Sequence, residues 1–102
     1  MTAYALTHDS LINRIHNELR EVVKKFTKSG EIYAGDIQLY KIGDTYYIKF
    51  TAEGTSGKAV YDTPLCKEPD IERYKDRYLL EDLKHYCTKI LEKLSELVNE
   101  EY

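Results

Sequence analysis

The chain has 102 residues, of which 32% are charged, and a formal net charge of −3. This length fits one domain, residues 1–102, with a modest hydrophobic core. The negative net charge disfavours a broad nucleic-acid-binding face, although a local basic patch is compatible with it. The apolar runs are too short to span a membrane and residues 1–4 show no secretory signal, so we expect no membrane association and an intracellular protein.

The chemistry-bearing residues form no recognisable catalytic or metal-binding motif. Cys66 and Cys87 have neither the spacing of a zinc site nor the number of a disulfide framework. Two reduced thiols and one disulfide both remain open, because hyperthermophiles form disulfides inside cells. The histidines, His8, His16 and His85, are scattered, and no nucleophile–base pair can be placed among them. We therefore predict no catalytic residue, no metal site and no cofactor, in a protein that is not an enzyme.

The first predicted element is a long amphipathic helix. The segment Thr7–Ser10 offers N-cap candidates, and apolar residues then recur at three- and four-residue steps as far as Phe26. Gly30 marks the end, because glycine readily adopts the left-handed conformation that commonly terminates a helix. The segment Tyr4–Leu6 ahead of it is predicted as a short strand or an arm.

The second predicted element is a hairpin around Gly43-Asp44, which suits a two-residue loop because glycine supplies the positive φ that such loops need. This loop sets the register of the two flanking strands. One face then carries apolar pairs and the other carries tyrosines and polar residues. The predicted pairs are Ile37–Phe50 and Leu39–Ile48 on the first face, and Tyr40–Tyr47 and Gln38–Lys49 on the second.

The remaining strand assignments keep alternatives open. The apolar alternation changes parity at Gly35, so a bulge at Gly35 and a strand that starts at Asp36 both fit. A third strand, Lys58–Thr63, follows the turn-type segment Glu53–Gly57. The length of that turn is ambiguous, so the face on which Tyr61 lies stays open.

Two helices complete the chain. Asp70 caps a short helix from Ile71 to Arg77, and a long helix runs from Leu80 to Asn99 with eight apolar positions in its stripe. A break near 78–80 is expected, because one unbroken helix would be about 45 Å long and would overshoot the domain. The prediction is an α+β fold: long N-terminal helix, three-stranded antiparallel sheet, short helix, long C-terminal helix.

The two long helices align without gaps, so that Leu11 meets Tyr86, Leu19 meets Leu94 and Val22 meets Leu97. An internal duplication into two similar helix-plus-strand halves would produce this alignment and would leave a groove at their junction. Two unrelated amphipathic helices would produce it as well. Both interpretations remain open.

Tyrosine is the clearest functional signal, with ten residues against two phenylalanines and no tryptophan. Its large rigid ring and polar tip are enriched at interaction surfaces. We predict a non-enzymatic protein–protein interaction module that binds a peptide or partner segment. Binding would use the groove between the halves, or the tyrosine face and edge of the sheet. The predicted partner-binding residues are Tyr33, Tyr40, Tyr47 and Tyr61.

The alternative function is a small nucleic-acid-binding regulator. Arg73, Lys75 and Arg77 alternate with aromatic residues, an arrangement that can contact phosphates and stack on bases. Acidic residues surround this stretch and weaken any binding driven by counterion release, so nucleic acid is the disfavoured partner. The sequence does not separate a monomer from a homodimer.

The composition is rich in lysine and glutamate and poor in amides, a pattern typical of hyperthermophiles. In this composition, its tyrosine content and its length, the chain resembles the small proteins encoded by filamentous viruses of hyperthermophilic archaea. The resemblance implies a viral protein expressed inside an archaeal host cell. It implies no functional residue.

Overall fold

The computed structural model describes the backbone of residues 2–99 and the side chains of residues 10–99. Helix α1 (Thr2–Ser29) is followed by strands β1 (Ala34–Ile42), β2 (Thr45–Gly54) and β3 (Gly57–Lys67), which form an antiparallel sheet in the order β1-β2-β3. A 3₁₀ helix (Glu68–Lys75) takes the place of the predicted short helix, and helix α2 spans Arg77–Val98. The α+β architecture and the order of its elements are as predicted.

The hairpin of β1 and β2 has the predicted register. The Cα partners include Ile37 with Phe50, Leu39 with Ile48, Gln38 with Lys49, and Tyr40 with Tyr47. Gly43 has a φ of 62°, whereas Asp44 has a negative φ, which is the φ pattern of a type II′ turn. The two-residue loop therefore sets which side chains face the core.

Gly35 is neither a bulge nor a residue ahead of the strand, so both predictions for this position are wrong. It pairs with Ala52 in a continuous register that starts at Ala34. A Cβ atom on Gly35 would lie 2.7 Å from Cδ1 of Ile32 and 3.3 Å from Cγ1 of Val23. The missing side chain lets α1 and the loop after it pack closely against β1.

Both helices pack on the same face of the sheet. Helix α1 contacts β1, α2 contacts β2 and β3, and the two helices contact each other. Ile48, Phe50 and Ala52 of β2 and Ile37 of β1 are fully buried beneath them. The helices bury Leu11, Ile15, Leu19, Val22 and Val23 of α1, and Leu80, Leu83, Cys87, Leu91, Leu94 and Val98 of α2.

Helix α1 begins earlier than predicted and ends as predicted. Its backbone is helical from Thr2, so the segments Tyr4–Leu6 and Thr7–Ser10 lie inside the helix. Gly30 has a φ of 83°, and its N–H and the following N–H donate to carbonyls of the last helical turn. These two bonds form a Schellman motif, which satisfies carbonyls that the end of a helix leaves without partners.

Helix α2 begins at Arg77, a few residues before the predicted start at Leu80. The Asp76 side chain accepts hydrogen bonds from the N–H groups of Tyr78 and Leu79, at 2.8 and 3.3 Å. An aspartate in this position caps the N-terminus of a helix, so the break between the last two helices falls at Asp76.

The element order gives no support to an internal duplication. Helix α1 precedes the strand that it covers, whereas α2 follows the strands that it covers. Aligned positions also differ in burial: Leu11 is 6% exposed and Tyr86 is 44% exposed, while Val22 is 6% exposed and Leu97 is 62% exposed. The alignment therefore reflects two amphipathic helices.

Asn99 joins the end of α2 to two loops. Its side-chain carbonyl accepts a hydrogen bond from the Thr55 backbone N–H at 3.0 Å, and its amide donates to the Glu31 carbonyl. The Ser56 N–H donates to the Val98 carbonyl at 2.6 Å. These contacts, the Asn99 clamp, hold α2 against the β2–β3 turn and the loop after α1.

Replacing Asn99 with alanine is expected to lower the free energy of unfolding by about 1–2 kcal/mol. Its two hydrogen bonds to backbone groups, worth about 0.5–1.5 kcal/mol each, are lost together with a longer one from the Thr55 hydroxyl. In a domain of this size, each kcal/mol lowers Tm by about 4–8 °C. Thermal unfolding followed by circular dichroism measures the change. Asn17→Ala, on the exposed face of α1, is the control. Equal Tm values for the two variants would show that the clamp does not hold α2.

Candidate functional site

The sheet face opposite the helices, the outer face, is not covered by any element of the described residues. Side chains alternate along a strand, so the residues between the core positions point to this face. They include Asp36, Gln38, Tyr40 and Ile42 of β1, Thr45, Tyr47, Lys49 and Thr51 of β2, and Val60, Asp62 and Pro64 of β3. Both signs of charge are present, so the outer face is polar and mixed in charge around its tyrosines.

Two predicted tyrosines meet on the outer face. Tyr40 and Tyr47 are register partners, and their rings stack with centroids 5.5 Å apart and planes inclined by 19°. The Tyr40 hydroxyl donates a hydrogen bond to Asp62 Oδ1 at 3.0 Å. Partial burial raises the pKa of the Tyr40 phenol, and the bond to Asp62 raises it further. The pair therefore has contacts of its own within the sheet.

The other two predicted tyrosines lie elsewhere, so the four do not form one surface. Tyr61 is the register partner of Phe50, which places it on the helix-covered face, with ring centroids 6.2 Å apart. Tyr33 precedes β1 and is 71% exposed. It lies seven residues from Tyr40, which corresponds to about 23 Å along an extended strand.

Tyr61 opens onto an apolar groove of about 550 Å³ between β3 and α2, the β3–α2 groove. The groove is lined by Tyr61, Tyr86, Lys89, Ile90, Lys93, Leu94 and Leu97. Tyr61 and Tyr86 are each 44% exposed, and Leu97 is 62% exposed. Large apolar side chains thus meet solvent in one concave surface.

The groove exists because the apolar sector of α2 is wider than the area of sheet beneath it. At 3.6 residues per turn, Tyr86, Ile90 and Leu97 lie on the flank of α2 that faces away from α1. This flank is adjacent to β3, the last strand of the sheet. The eight apolar positions predicted for the stripe of this helix include Tyr86 and Leu97 as well as the buried residues. The width of this apolar stripe was the signal in the sequence that some of its residues would remain exposed.

The two edges of the sheet differ in accessibility. At β1, His16 of α1 donates from Nε2 to the Ile37 carbonyl at 2.8 Å, and Arg20 lies 3.7 Å from Asp36. These contacts occupy part of the β1 edge. At β3, no strand of the described residues pairs with the outer edge, and the β3–α2 groove lies beside it. An unpaired edge is a template for an added strand.

A second crevice, of about 510 Å³, lies between α1 and α2, where a junction of two halves would be. Its lining includes Lys25, Glu31, Glu92 and Glu96, so carboxylates outnumber amines. The crevice is charged and offers few apolar contacts. Of the two concave surfaces, the β3–α2 groove is better suited to bind an apolar segment.

The predicted basic residues Arg73, Lys75 and Arg77 are exposed, in the 3₁₀ helix and the first turn of α2. Lys75 Nζ lies 3.2 Å from a carboxylate oxygen of Glu72. Tyr74 packs against the core, whereas Tyr78 is 83% exposed. The basic and the aromatic side chains of this segment therefore do not share a single exposed face.

Cys66 and Cys87 are free thiols. Burial raises the pKa of the Cys87 thiol to about 12, and burial together with the charge of Asp70 raises the pKa of Cys66. A nucleophilic cysteine has a lowered pKa, so neither thiol has the character of a catalytic nucleophile. Within the described residues, no three potential ligands form a group that could hold a metal ion.

Comparison with protein-family models, curated proteins and solved structures finds no match for this chain. Among the described helices, none has the length and apolar character needed to cross a membrane.

Cys87 is expected to make the fold less stable at alkaline pH. Its thiol pKa rises from 9.0 in the unfolded chain to about 12 in the fold, so between these values the unfolded chain releases a proton that the folded chain retains. The free energy of unfolding then falls by up to about 1.4 kcal/mol per pH unit. Urea unfolding from neutral pH to about pH 11 measures this slope.

The difference between wild type and Cys87→Ala isolates the contribution of this thiol. Raised pKa values at Tyr40, Lys41, Cys66 and Lys84 act in the same direction and do not depend on Cys87, so they are common to both proteins. The alanine variant is expected to be less stable at neutral pH and to lose less stability at alkaline pH. Identical slopes would contradict the assignment to Cys87.

Proposed function

We propose that this protein is a non-enzymatic interaction module that binds an extended segment of a partner protein as an added strand on β3. The observation that carries the proposal is the unpaired edge of β3 directly beside the β3–α2 groove. The edge would supply main-chain hydrogen bonds, and the groove would receive alternate side chains of the segment. We place this binding inside an archaeal host cell, following the resemblance to small archaeal viral proteins.

The length of the bound segment follows from the irregular end of β3. Pro64 has no N–H to donate, and Leu65 is the extra residue of a bulge between the pairs of Tyr46 and Tyr47. Regular pairing is thus available along Lys58–Thr63. A partner stretch of about six residues, about 20 Å in extended form, matches this edge.

The groove would supply most of the favourable free energy. Isolated strand pairing is marginal in water, so an added strand requires apolar contacts as well as main-chain hydrogen bonds. Fully burying a large apolar side chain contributes about 1.5–3 kcal/mol, and the side chains of the groove are already partly buried. Further burial of Tyr61, Tyr86 and Leu97 would contribute about 1 kcal/mol each.

The outer face is the less favoured of the two tyrosine-bearing surfaces. The Tyr40 and Tyr47 rings already stack on each other, and the Tyr40 hydroxyl already bonds to Asp62. A partner would have to replace these contacts before it gained new ones. In the β3–α2 groove, by contrast, an added strand covers surface that now meets water.

Peptides selected from a random twelve-residue phage-display library on the immobilised protein are expected to bind at β3. Alternate residues of a strand direct their N–H groups to opposite edges. Binding should therefore slow hydrogen exchange at every second amide of Lys58–Thr63, as measured by NMR. Tyr61→Ala and Leu97→Ala should each weaken peptide binding about tenfold, because truncating a buried anchor costs about 1–2 kcal/mol.

The matched control is the double variant Tyr40→Ala, Tyr47→Ala, which alters the outer face and should bind the same peptides normally. Thermal unfolding checks that all variants remain folded. Loss of binding in this double variant, with normal binding in the groove variants, would move the site to the outer face. Protection of β1 amides in place of β3 amides would also contradict the proposal.

Nucleic-acid binding remains the second candidate because Arg73 and Arg77 are exposed and Arg77 directly precedes the exposed Tyr78 in the chain. Such binding would weaken steeply as salt increases, because each contacted phosphate releases a counterion. Fluorescence anisotropy with labelled single-stranded DNA and RNA at about 50 and 200 mM salt measures this dependence. The double variant Arg73→Gln, Arg77→Gln should show a smaller decrease of affinity with increasing salt. No binding at the lower salt concentration would remove this function.

A further inference from the structure

We infer that the segment bound on β3 is acidic, with carboxylates that reach Lys89 and Lys93 and apolar residues that enter the β3–α2 groove. This inference rests on the proposed function and adds the chemical class of the partner. It comes from the charge of the groove lining, which is independent of the unpaired edge.

The β3–α2 groove is cationic in a protein whose net charge is −3. Two of its seven lining residues are lysines and none is acidic. Lys89 and Lys93 are exposed, and neither forms a salt bridge within residues 10–99. By contrast, Lys84 on the α1 side of the same helix bonds to Glu18 and Glu81. The unpaired amines thus lie on the side of α2 that faces the open edge.

The spacing of the two lysines matches an extended segment. Lys89 and Lys93 are one helical turn apart, about 6 Å along the axis of α2. Residues two apart on one face of a strand are separated by about 7 Å. Two carboxylates in an acid-x-acid arrangement could therefore approach both amines, while neighbouring apolar residues contact Ile90 and Leu97.

A second copy of this chain is a poorer occupant than an acidic segment. If two copies paired antiparallel through β3, a twofold axis would bring the α2 flanks of both copies together. Lys89 and Lys93 of one copy would then approach the same lysines of the other, and like charges in an interface oppose association. Single-stranded nucleic acid is also anionic, but it has no main-chain amides to pair with the edge of β3.

The test repeats the peptide selection on wild type and on the double variant Lys89→Glu, Lys93→Glu. The control is Lys25→Glu, Lys28→Glu, which changes the net charge equally at exposed positions of α1. Peptides selected on wild type should be enriched in Asp and Glu between apolar residues. The Lys89/Lys93 variant should bind them about tenfold more weakly, whereas the control should change affinity by less than about twofold.

The readouts separate this inference from the proposed function. One possible result is that the selected peptides protect β3 amides, show no excess of acidic residues and bind both variants equally. This result would overturn the inference and leave the proposed function intact. Failure of every selected peptide to protect β3 amides would overturn both. Analytical ultracentrifugation shows whether the wild type is a dimer. A dimer that acidic peptides do not dissociate would assign the edge of β3 to a second copy and overturn the inference.

Discussion

The pairing of β1 with β2 constrains every later feature of the structure. The two-residue loop at Gly43-Asp44 aligns Ile37 with Phe50 and Leu39 with Ile48, so one face of the sheet becomes apolar. Both amphipathic helices must bury their stripes against that same face, because the other face carries tyrosines and charged residues. Two helices on one face of three strands leave the outer face uncovered, and the register partners Tyr40 and Tyr47 stack on each other there.

The same constraint explains why a groove lies beside the open edge of β3. Helix α1 lies over β1 and places His16 on its edge carbonyl, so α2 must lie over the other side of the sheet. The Asp76 cap sets where α2 begins, and the Asn99 clamp sets where it ends. In this position, the side of α2 that lies beside β3 carries apolar residues and lysines. The open edge and the groove thus lie side by side, which favours a single binding site that uses both.

Much of the fold was predictable from the sequence because its signals are local. Period-two alternation around a short glycine loop predicts a register, and a glycine after an apolar stripe predicts the end of a helix. The face of Tyr61 was not predictable, because it depends on the length of the β2–β3 turn. The start of α2 differed by a few residues, because its cap, Asp76, lies inside the segment predicted as the short helix. Only the packing of Ile71 and Leu80 into one core fixes where that segment ends.

The sequence by itself determined the α+β architecture, the register of the first hairpin and the residue types available for binding, since each follows from near neighbours along the chain. Only the tertiary structure decided which apolar residues remain exposed. Tyr86 and Leu97 belong to the same helical stripe as Leu83 and Leu94, and their exposure depends on where the sheet ends beneath α2. That boundary arises from contacts between residues far apart in sequence, which helical periodicity does not encode.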